Sequence, residues 1–417
     1  MTKKLLTLLI TAACFSFTSY AADSIVPYGN GTWVHDYLVN DQGGITSTHA
    51  GHFFAKLKSY NTSVSKNPAC QITEVFAYGG TLEIHNPGAG KPYLPNHFAM
   101  EYYPQRIFHI SLNNWKVWPN QIDSGYYSVH AYSHLTVDGN PHSKKVLNLM
   151  QINGSVGAVN VHGLQLLNGL SQTDAAHFAD FVAAQVCADD ALDGVQFDLE
   201  PTSLIGSSSV VTGNGQQYFY AEIAKDFAGH IKEGKDDPIN CVDSNHHQGR
   251  IFSVFTSASG VQEAPQAMAK ILTQYGNGYV IDSLYDLSGQ PAGTINPPDA
   301  YRQQVETEVS TMVELGNKYH IPYQFAVPVA ASAHEFENKN KQATGYKQGE
   351  YVKIALAIIN QHAQGNAYYK GLALWGWNDK LIVADPNGNK KFFNLEPGDP
   401  SKAIDNSSLT ALAHCNA

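Results

Sequence analysis

Short apolar runs alternate with longer segments of helical period between about residues 72 and 377. Eight of these runs have the length and composition of buried strands. They are Glu74–Tyr78, Arg106–Asn113, Lys145–Gln151, Leu192–Glu200, Ile251–Thr256, Tyr279–Asp286, Tyr323–Val329 and Gly371–Trp377. The segments between them carry apolar residues three and four positions apart, which is typical of amphipathic helices. The alternation predicts a parallel sheet covered by helices.

Four of the intervening segments carry clear helix signals. Ser171 with Asp174 forms the pattern of a capping box and predicts a helix that continues through Phe178 and Val182. The other three predicted helices are Gln216–Ile231, Pro298–Tyr319 and Glu350–His362. Eight strands with helices between them predict an α/β fold, a (β/α)8 TIM barrel. A single doubly wound parallel sheet is the alternative.

The first residues have the pattern of an export signal. Lys3 and Lys4 precede an apolar run, Leu5–Phe17, which is too short to span a bilayer, and small residues follow at Ser19–Ala21. This pattern predicts a secretory signal peptide over residues 1–21, and therefore a secreted or periplasmic protein. No later stretch is apolar over the ~18 residues that a membrane span needs.

Residues 22–71 are rich in Gly, Asn, Ser, Thr and His and show little periodicity. We interpret them as an N-terminal extension of the barrel. Residues 72–417 then form one (β/α)8 domain, and we expect a monomer.

Cysteine usage agrees with export. Of five cysteines, Cys14 lies in the predicted signal peptide, where a lipid-anchored cysteine is an alternative interpretation. The other four, Cys70, Cys187, Cys241 and Cys415, suggest two disulfides with three possible pairings. None stands in a Cys-x-x-Cys pair, so neither a zinc nor a redox site is predicted.

Composition excludes two classes of protein. The formal net charge is -10, and only 15% of residues are charged. Nucleic-acid binding needs clustered Lys and Arg that displace counterions, so we predict no nucleic-acid partner. Apolar residues make up 43% of the chain, which excludes a disordered protein and allows a sizeable core.

The most informative segment is Asp193–Pro201, with the sequence DGVQFDLEP. Side chains alternate along a strand, so one face is apolar while the other carries Gln196, Asp198 and Glu200. In a barrel this polar row points inward near the carboxyl ends of the strands, where such folds place their active sites. Two carboxyls close together raise the pKa of one of them, which suits a general acid.

Two other interpretations of this polar row stay open. It could be a polar plug of the barrel, satisfied by its neighbours. It could also bind magnesium or calcium, which prefer oxygen ligands, although no second acidic cluster stands out on another strand. His246 and His247 lack a partner at a metal-binding spacing, so we interpret them as part of a solvated loop. We therefore predict no metal and no cofactor.

The fourth-strand segment resembles a known enzyme signature. Asp193–Glu200 is similar to the Asp-x-x-Asp-x-Asp-x-Glu motif of glycoside hydrolase family 18, the chitinases and endo-β-N-acetylglucosaminidases. Ser283–Asp286 resembles that family's Met-x-Tyr-Asp element on strand six, and Gly371–Trp375 resembles its Gly-x-x-x-Trp element on strand eight. The resemblance covers roughly residues 72–380, and the family fold is a (β/α)8 barrel.

This resemblance implies roles for individual residues. Glu200 would protonate the leaving glycosidic oxygen and then activate water. Asp198 would orient the substrate's 2-acetamido group, which attacks the anomeric carbon in place of an enzyme carboxylate. Tyr285 would hydrogen-bond that acetamido group, and Trp375 would form an apolar floor under the sugar. The implied partner is an oligo- or polysaccharide that contains N-acetylglucosamine, either chitin or the N-glycan core.

Three further residues complete the predicted site. Tyr78 ends the first predicted strand and would line the cleft, and Asp286 belongs to the strand-six element. Gln196 stands where the family has its middle Asp, which normally shares a proton with the next Asp. We expect Gln196 to donate a hydrogen bond to Asp198 and to favour its ionised form. Asp193 would brace the turn into the strand.

Two other functions remain possible from the sequence. Retaining barrel glycosidases of another group carry Asn-Glu-Pro after strand four, but Leu199 replaces that Asn here and Glu335 and Glu337 follow strand seven late. A non-catalytic carbohydrate-binding protein on the same barrel is the alternative from a different class. Such relatives usually lose the acid Glu, whereas this chain keeps Glu200.

Overall fold

Eight parallel strands form a closed barrel in the computed structural model. The structure describes residues 24–34, 47–84, 91, 98–102, 106–109, 135–154, 167–199, 213–229, 239, 241–285, 287, 296–329, 346–375 and 406–415. The barrel strands are β1 (Asn30–Val34), β2 (Ile72–Ile84), β5 (Leu147–Gly154), β6 (Gly194–Leu199), β7 (Ile251–Thr256), β8 (Gly278–Ser283), β9 (Tyr323–Pro328) and β10 (Tyr369–Trp375). Because β1 pairs with both β2 and β10, the sheet closes on itself and has the architecture of a (β/α)8 barrel.

The first barrel strand lies where an N-terminal extension was predicted. β1 comes from the Gly- and Asn-rich segment 22–71 and pairs in parallel with a neighbour on each side. The prediction of an N-terminal extension over residues 22–71 is therefore wrong for residues 30–34, which form a barrel strand. The helix α1 (Ser47–Ser63) follows in the same segment. The physical reason is that a five-residue strand hydrogen-bonded on both sides needs little periodicity of its own.

The predicted barrel strand Arg106–Asn113 is wrong. Within it, β4 (Arg106–His109) pairs antiparallel with β3 (Phe98–Tyr102), which pairs antiparallel with the end of β2. These strands form a ribbon beside the barrel, because antiparallel neighbours need only short connections. One strand was missed and one was misplaced, so β6, β8 and β10 remain the fourth, sixth and eighth barrel strands.

The helices lie between successive barrel strands. They are α2 (Gln172–Cys187), α3 (Gly215–Phe227), α4 (Ala258–Glu263), α5 (Pro265–Thr273), α6 (Pro298–Tyr319) and α7 (Gln348–His362), followed by α8 (Asn406–Leu412) near the C-terminus. The predicted helix start at Ser171 is confirmed, because Ser171 Oγ accepts a 3.1 Å hydrogen bond from the Asp174 amide. The Asp174 carboxylate accepts from the same hydroxyl at 2.6 Å, so the contact differs from the reciprocal backbone bond of a capping box. In the part of the chain that the structure describes, no helix has the length and hydropathy needed to cross a bilayer.

The core has two layers that follow the alternation of each strand. Outward residues of β6 pack on the helices: the Phe197 ring centroid lies 5.6 Å from that of Phe219 and 5.5 Å from that of Tyr220. Burying a side chain of this size contributes roughly 2–3 kcal/mol. Gly194 opens β6 because any Cβ there would lie 1.8 Å from the carbonyl oxygen of Ile251. β6 therefore begins in close contact with β7.

Two disulfides tie the periphery to the barrel. Cys70, just before β2, bonds to Cys415, and Cys187 at the end of α2 bonds to Cys241. The prediction of two disulfides from the four cysteines is thus confirmed, and the pairing is one of the three that the sequence allowed. The first bond joins residues 345 positions apart and so links the two ends of the domain.

Candidate active site

The polar face of β6 points into the barrel as the alternation predicts. Gln196 is fully buried and Asp198 is half-buried. The intervening Val195 and Phe197 belong to the outer core. A row of polar side chains therefore rises along the inner wall toward the carboxyl end of β6.

Gln196 is held by a tryptophan of the first strand. Trp33 Nε1 on β1 donates a 2.8 Å hydrogen bond to Gln196 Oε1, and both side chains have no exposed surface. The bond spans the barrel interior between strands one and four. Gln196 accepts here, whereas we predicted that it donates to Asp198.

The amide that contacts Asp198 comes from the neighbouring strand instead. Gln151 Nε2 on β5 donates to Asp198 Oδ2 at 3.3 Å. In the parallel register, Gln151 is paired with Gln196 and Asn153 with Asp198. Gln151 thus hydrogen-bonds to Asp198, which lies two residues further along β6 than Gln196, its direct cross-strand partner. We predicted that the Gln196 amide donates to this carboxylate, whereas the donor is the Gln151 amide.

Aromatic rings from strands one, five, six and eight meet beside this polar row. The Tyr285 ring is stacked between Phe255, at 5.9 Å between centroids, and Trp375, at 5.4 Å. Trp33 contacts Trp375 edge-on at 5.3 Å, and it also packs against Phe76. Tyr285 and Trp375 are half-buried at the edge of this inner cluster. The structure therefore brings Gln196, Tyr285 and Trp375 together through Trp33.

Three predicted site residues cannot be placed in the same detail. Glu200 and Asp286 lie outside the described residues. Tyr78 lies on β2, where its Cα is paired with that of Gln151 on β5. The predicted signal peptide, residues 1–21, also lies outside the described residues.

Asp193 braces the entry into β6, as predicted. Its Oδ2 accepts a 2.7 Å hydrogen bond from the Asn148 amide, and its Oδ1 lies 3.3 Å from Lys145 Nζ. Burial raises the pKa of Asp193, but the hydrogen bond with His246 and the charge of Lys145 outweigh it and hold the pKa below its ordinary value. This carboxylate lies at the N-terminal end of the strand, away from the mouth that carries Asp198.

His246 is buried, so its assignment to a solvated loop is wrong. Its ring nitrogens lie 3.2 Å from Asp193 Oδ1 and 3.0 Å from Asp243 Oδ1. Arg250, fully buried, donates to Asp243 Oδ2 at 2.8 Å. Burial of Asp243 is outweighed by this hydrogen bond, and the Asp243 pKa lies well below its ordinary value. These paired charges lie at the N-terminal end of the barrel, and removing one partner would leave the other charge buried and uncompensated.

A second carboxyl lies inside the barrel, on β2. Glu74 is fully buried, accepts a 2.9 Å hydrogen bond from Gln324 Nε2 and lies 3.3 Å from the Tyr279 hydroxyl. Gly31 leaves space for it, because a Cβ there would lie 3.3 Å from Glu74 Oε2. Burial raises the Glu74 pKa to about 7 despite these hydrogen bonds. It is an ionisable core group that the sequence did not predict.

The carboxylates that could approach a metal ion lie outside the barrel. Among the described residues, ligand atoms of Asp180, Glu222 and Asp226 on α2 and α3 lie within 4.8 Å of one another. Burial, together with the negative charges of Asp180 and Glu222, raises the Asp226 pKa to about 9.

Trp33 and Gln151 are the residues that the sequence analysis missed. Gln151 is the last residue of a predicted strand and lies two positions after Leu149, so both side chains point to the same, inward face. The alternation of side chains could therefore have predicted the position of Gln151 near the mouth of the barrel. Trp33 carried no such signal, because the short NGTWV segment was not recognised as a strand.

Similarity to known proteins is found among solved structures, and not among protein-family models or curated sequences. Solved structures that are similar include a GH18 chitinase from Pseudoalteromonas aurantia, with 12% identity, 83% of this chain and 93% of that chain covered, and a TM-score of 0.43. An endo-β-1,4-mannanase from Thermotoga petrophila has 10% identity, 94% and 76% coverage and a TM-score of 0.44. An endo-β-N-acetylglucosaminidase from Cordyceps militaris has 13% identity, 70% and 76% coverage and a TM-score of 0.34.

Proposed function

We propose that this protein is an exported glycoside hydrolase that cleaves β-linked N-acetylglucosamine glycans, chitin or the N-glycan core. The observation that carries the proposal is that Gln196, Tyr285 and Trp375 are joined by contacts with Trp33 and with each other. These residues belong to the three separate motifs on strands four, six and eight. A polar plug of the barrel would not need an aromatic wall that extends to the half-exposed mouth.

The chemistry would be substrate-assisted. Glu200, two residues beyond Asp198 in the sequence, would protonate the leaving oxygen and then act as base toward water. Asp198, supported by Gln151, would orient the 2-acetamido group for attack on the anomeric carbon. A protein nucleophile is not required in this scheme.

The aromatic residues suit the proposed substrate. Sugar rings present apolar C–H faces, which pack on aromatic rings, and hydroxyl and acetamido groups, which hydrogen-bond. The half-buried Trp375 ring would support the reacting sugar, and the Tyr285 hydroxyl would contact its acetamido group. The stack of Tyr285 between Phe255 and Trp375 holds both rings in place.

Replacing Glu200 with Gln tests the proposed acid directly. The amide cannot donate a proton to the leaving oxygen, so we expect turnover of chitin oligosaccharides or N-glycoproteins to fall by about 10²–10⁴-fold. Product formation is measured by chromatography of released sugars. Glu314→Gln, an exposed change on α6, is the matched control and should retain native turnover. Undiminished cleavage by Glu200→Gln would contradict the assignment.

A non-catalytic carbohydrate-binding protein is the second candidate, and Gln196 favours it. An amide held by Trp33 has replaced a carboxyl that would share a proton with Asp198. Binding of chitin oligosaccharides to the native protein without product release over long incubation would support this candidate and contradict the enzyme.

A further inference from the structure

Two buried amides stand side by side, one pleat before Asp198. The Cα atoms of Gln151 and Gln196 are paired across β5 and β6, and neither side chain has exposed surface. Side chains of residues paired across neighbouring strands lie close enough to interact. Here each of them makes a hydrogen bond to a different group.

The Trp33 indole fixes the orientation of the Gln196 side-chain amide. An indole N–H can only donate, so the Gln196 atom that lies 2.8 Å from Trp33 Nε1 is the amide oxygen. That oxygen is the atom that Gln151 would otherwise meet across the strand pair. Gln151 Nε2 instead donates to Asp198 Oδ2 at 3.3 Å.

We propose that Gln151 is a positioning residue for Asp198, and that the Trp33–Gln196 hydrogen bond directs Gln151 to it. The inference rests on the proposed function, because that function gives Asp198 its role. Gln151 would donate to Asp198 a hydrogen bond from a neutral amide. It would replace the hydrogen bond that a second carboxyl makes by sharing its proton with Asp198. Because amides do not titrate between pH 3 and 10, Asp198 keeps this donor throughout the working pH range.

Among the described residues, the inward side chains of β5 and β7 near Asp198 include Gln151 and Ser253, which do not titrate. Tyr220 on α3 is close enough to respond: burial raises its pKa, and the charge of Asp198 adds to this effect. Glu200 is two residues further along the sequence. A change in the pH dependence of the Gln151 variants therefore reports on Asp198 and Glu200.

Replacing Gln151 with Met tests the positioning role. Met keeps the length and the burial but removes the donor, so the charged form of Asp198 loses stabilisation. We expect the acid limb of the kcat profile to move up by roughly one pH unit and kcat to fall roughly tenfold or more, with KM nearly unchanged. Gln185→Met removes a buried amide on α2, outside the barrel, and should leave the limb in place. A change in KM alone would overturn the proposal.

Restoring a second carboxyl gives a stricter test. In the Gln151→Met background, Gln196→Asp puts a carboxyl next to Asp198 that still accepts from Trp33. The two acids can then share a proton. We expect the double variant to regain most of the lost kcat. If Gln196→Asp gives no recovery, Gln151 does not act through Asp198.

A readout independent of turnover separates this inference from the proposed function. In the native protein and in Gln151→Met, the carboxyl carbon of Asp198 is titrated by NMR, and its midpoint should rise in the variant. The indole N–H signal of Trp33, one of five tryptophans, is assigned with Trp33→Phe and should shift in Gln196→Met. If the native protein releases no product, the proposed function fails, but the midpoint still decides the inference. An unchanged midpoint or an unmoved indole signal overturns it.

Discussion

At the scale of single residues, polar groups inside this barrel are held by neutral hydrogen-bond partners. Asp198 is contacted by the Gln151 amide, Gln196 by the Trp33 indole, and Glu74 by Gln324 Nε2. A neutral donor offsets part of the cost of burying a carboxylate without adding a second charge that itself must be buried. Glu74 shows the limit of this arrangement, because its pKa still rises to about 7.

Glu74 should make the stability of the protein depend on pH. Its folded pKa lies above the ordinary value of 4.5, so the folded state keeps a proton that the unfolded state has lost. The contribution of Glu74 to the free energy of unfolding therefore falls as pH rises from about 4.5 to about 7 and is level above that. We expect Glu74→Gln to remove this slope and to be more stable than the native protein at pH 8 by up to about 3 kcal/mol.

Urea unfolding at pH 5, 6, 7 and 8 measures this effect. Glu314→Gln, which removes an exposed carboxyl on α6, should follow the native slope. Parallel curves for the native protein and Glu74→Gln would refute the prediction.

At the scale of elements, helix termini were predicted best where a particular residue type marks the start or the end of the helix. The predicted bounds of α6, Pro298–Tyr319, match the structure. Pro298 suits the first helical turn, and His320 ends the helix in the left-handed region with φ 62°. The helix predicted over Gln216–Ile231 ends earlier, at Phe227, with Ala228 as its C-cap, so the predicted end is wrong. Apolar spacing alone locates a helix without locating its end.

The N-cap of α2 gives a prediction at this scale. Ser171 Oγ accepts from the Asp174 amide, which otherwise has no partner in the first turn. We expect Ser171→Ala to lower the free energy of unfolding by about 1 kcal/mol, and Ser171→Gly by only a few tenths. Urea denaturation followed by circular dichroism measures both. Equal losses for the two variants would show that the side-chain cap does not stabilise α2.

At the scale of the whole molecule, closure depends on segments far apart in the chain. β1 and β10 pair with their neighbours to close the barrel, and Cys70–Cys415 ties the same two regions covalently. The bond Cys187–Cys241 spans only 54 positions. The long bond therefore restricts the unfolded chain more than the short one does.

Removing each disulfide separately tests this difference. The chain-entropy relation gives about 6 kcal/mol for the long loop and about 4 kcal/mol for the short one. We expect Cys70→Ser with Cys415→Ser to be less stable than Cys187→Ser with Cys241→Ser by about 1–2 kcal/mol. Urea unfolding of the two double variants compares them. The opposite order would mean that native packing around Cys187–Cys241 outweighs loop entropy.

The local pattern of residues by itself determined the strand–helix alternation, the inward face of β6 and the number of disulfides. Each of these depends on side-chain periodicity or on residue type, which are properties of neighbours in the chain. Only the tertiary structure decided that Asn30–Val34 completes the barrel, that Cys70 pairs with Cys415, and that Trp33 rather than Asp198 engages Gln196. These depend on which segments meet in space, and Trp33 lies 163 positions from Gln196.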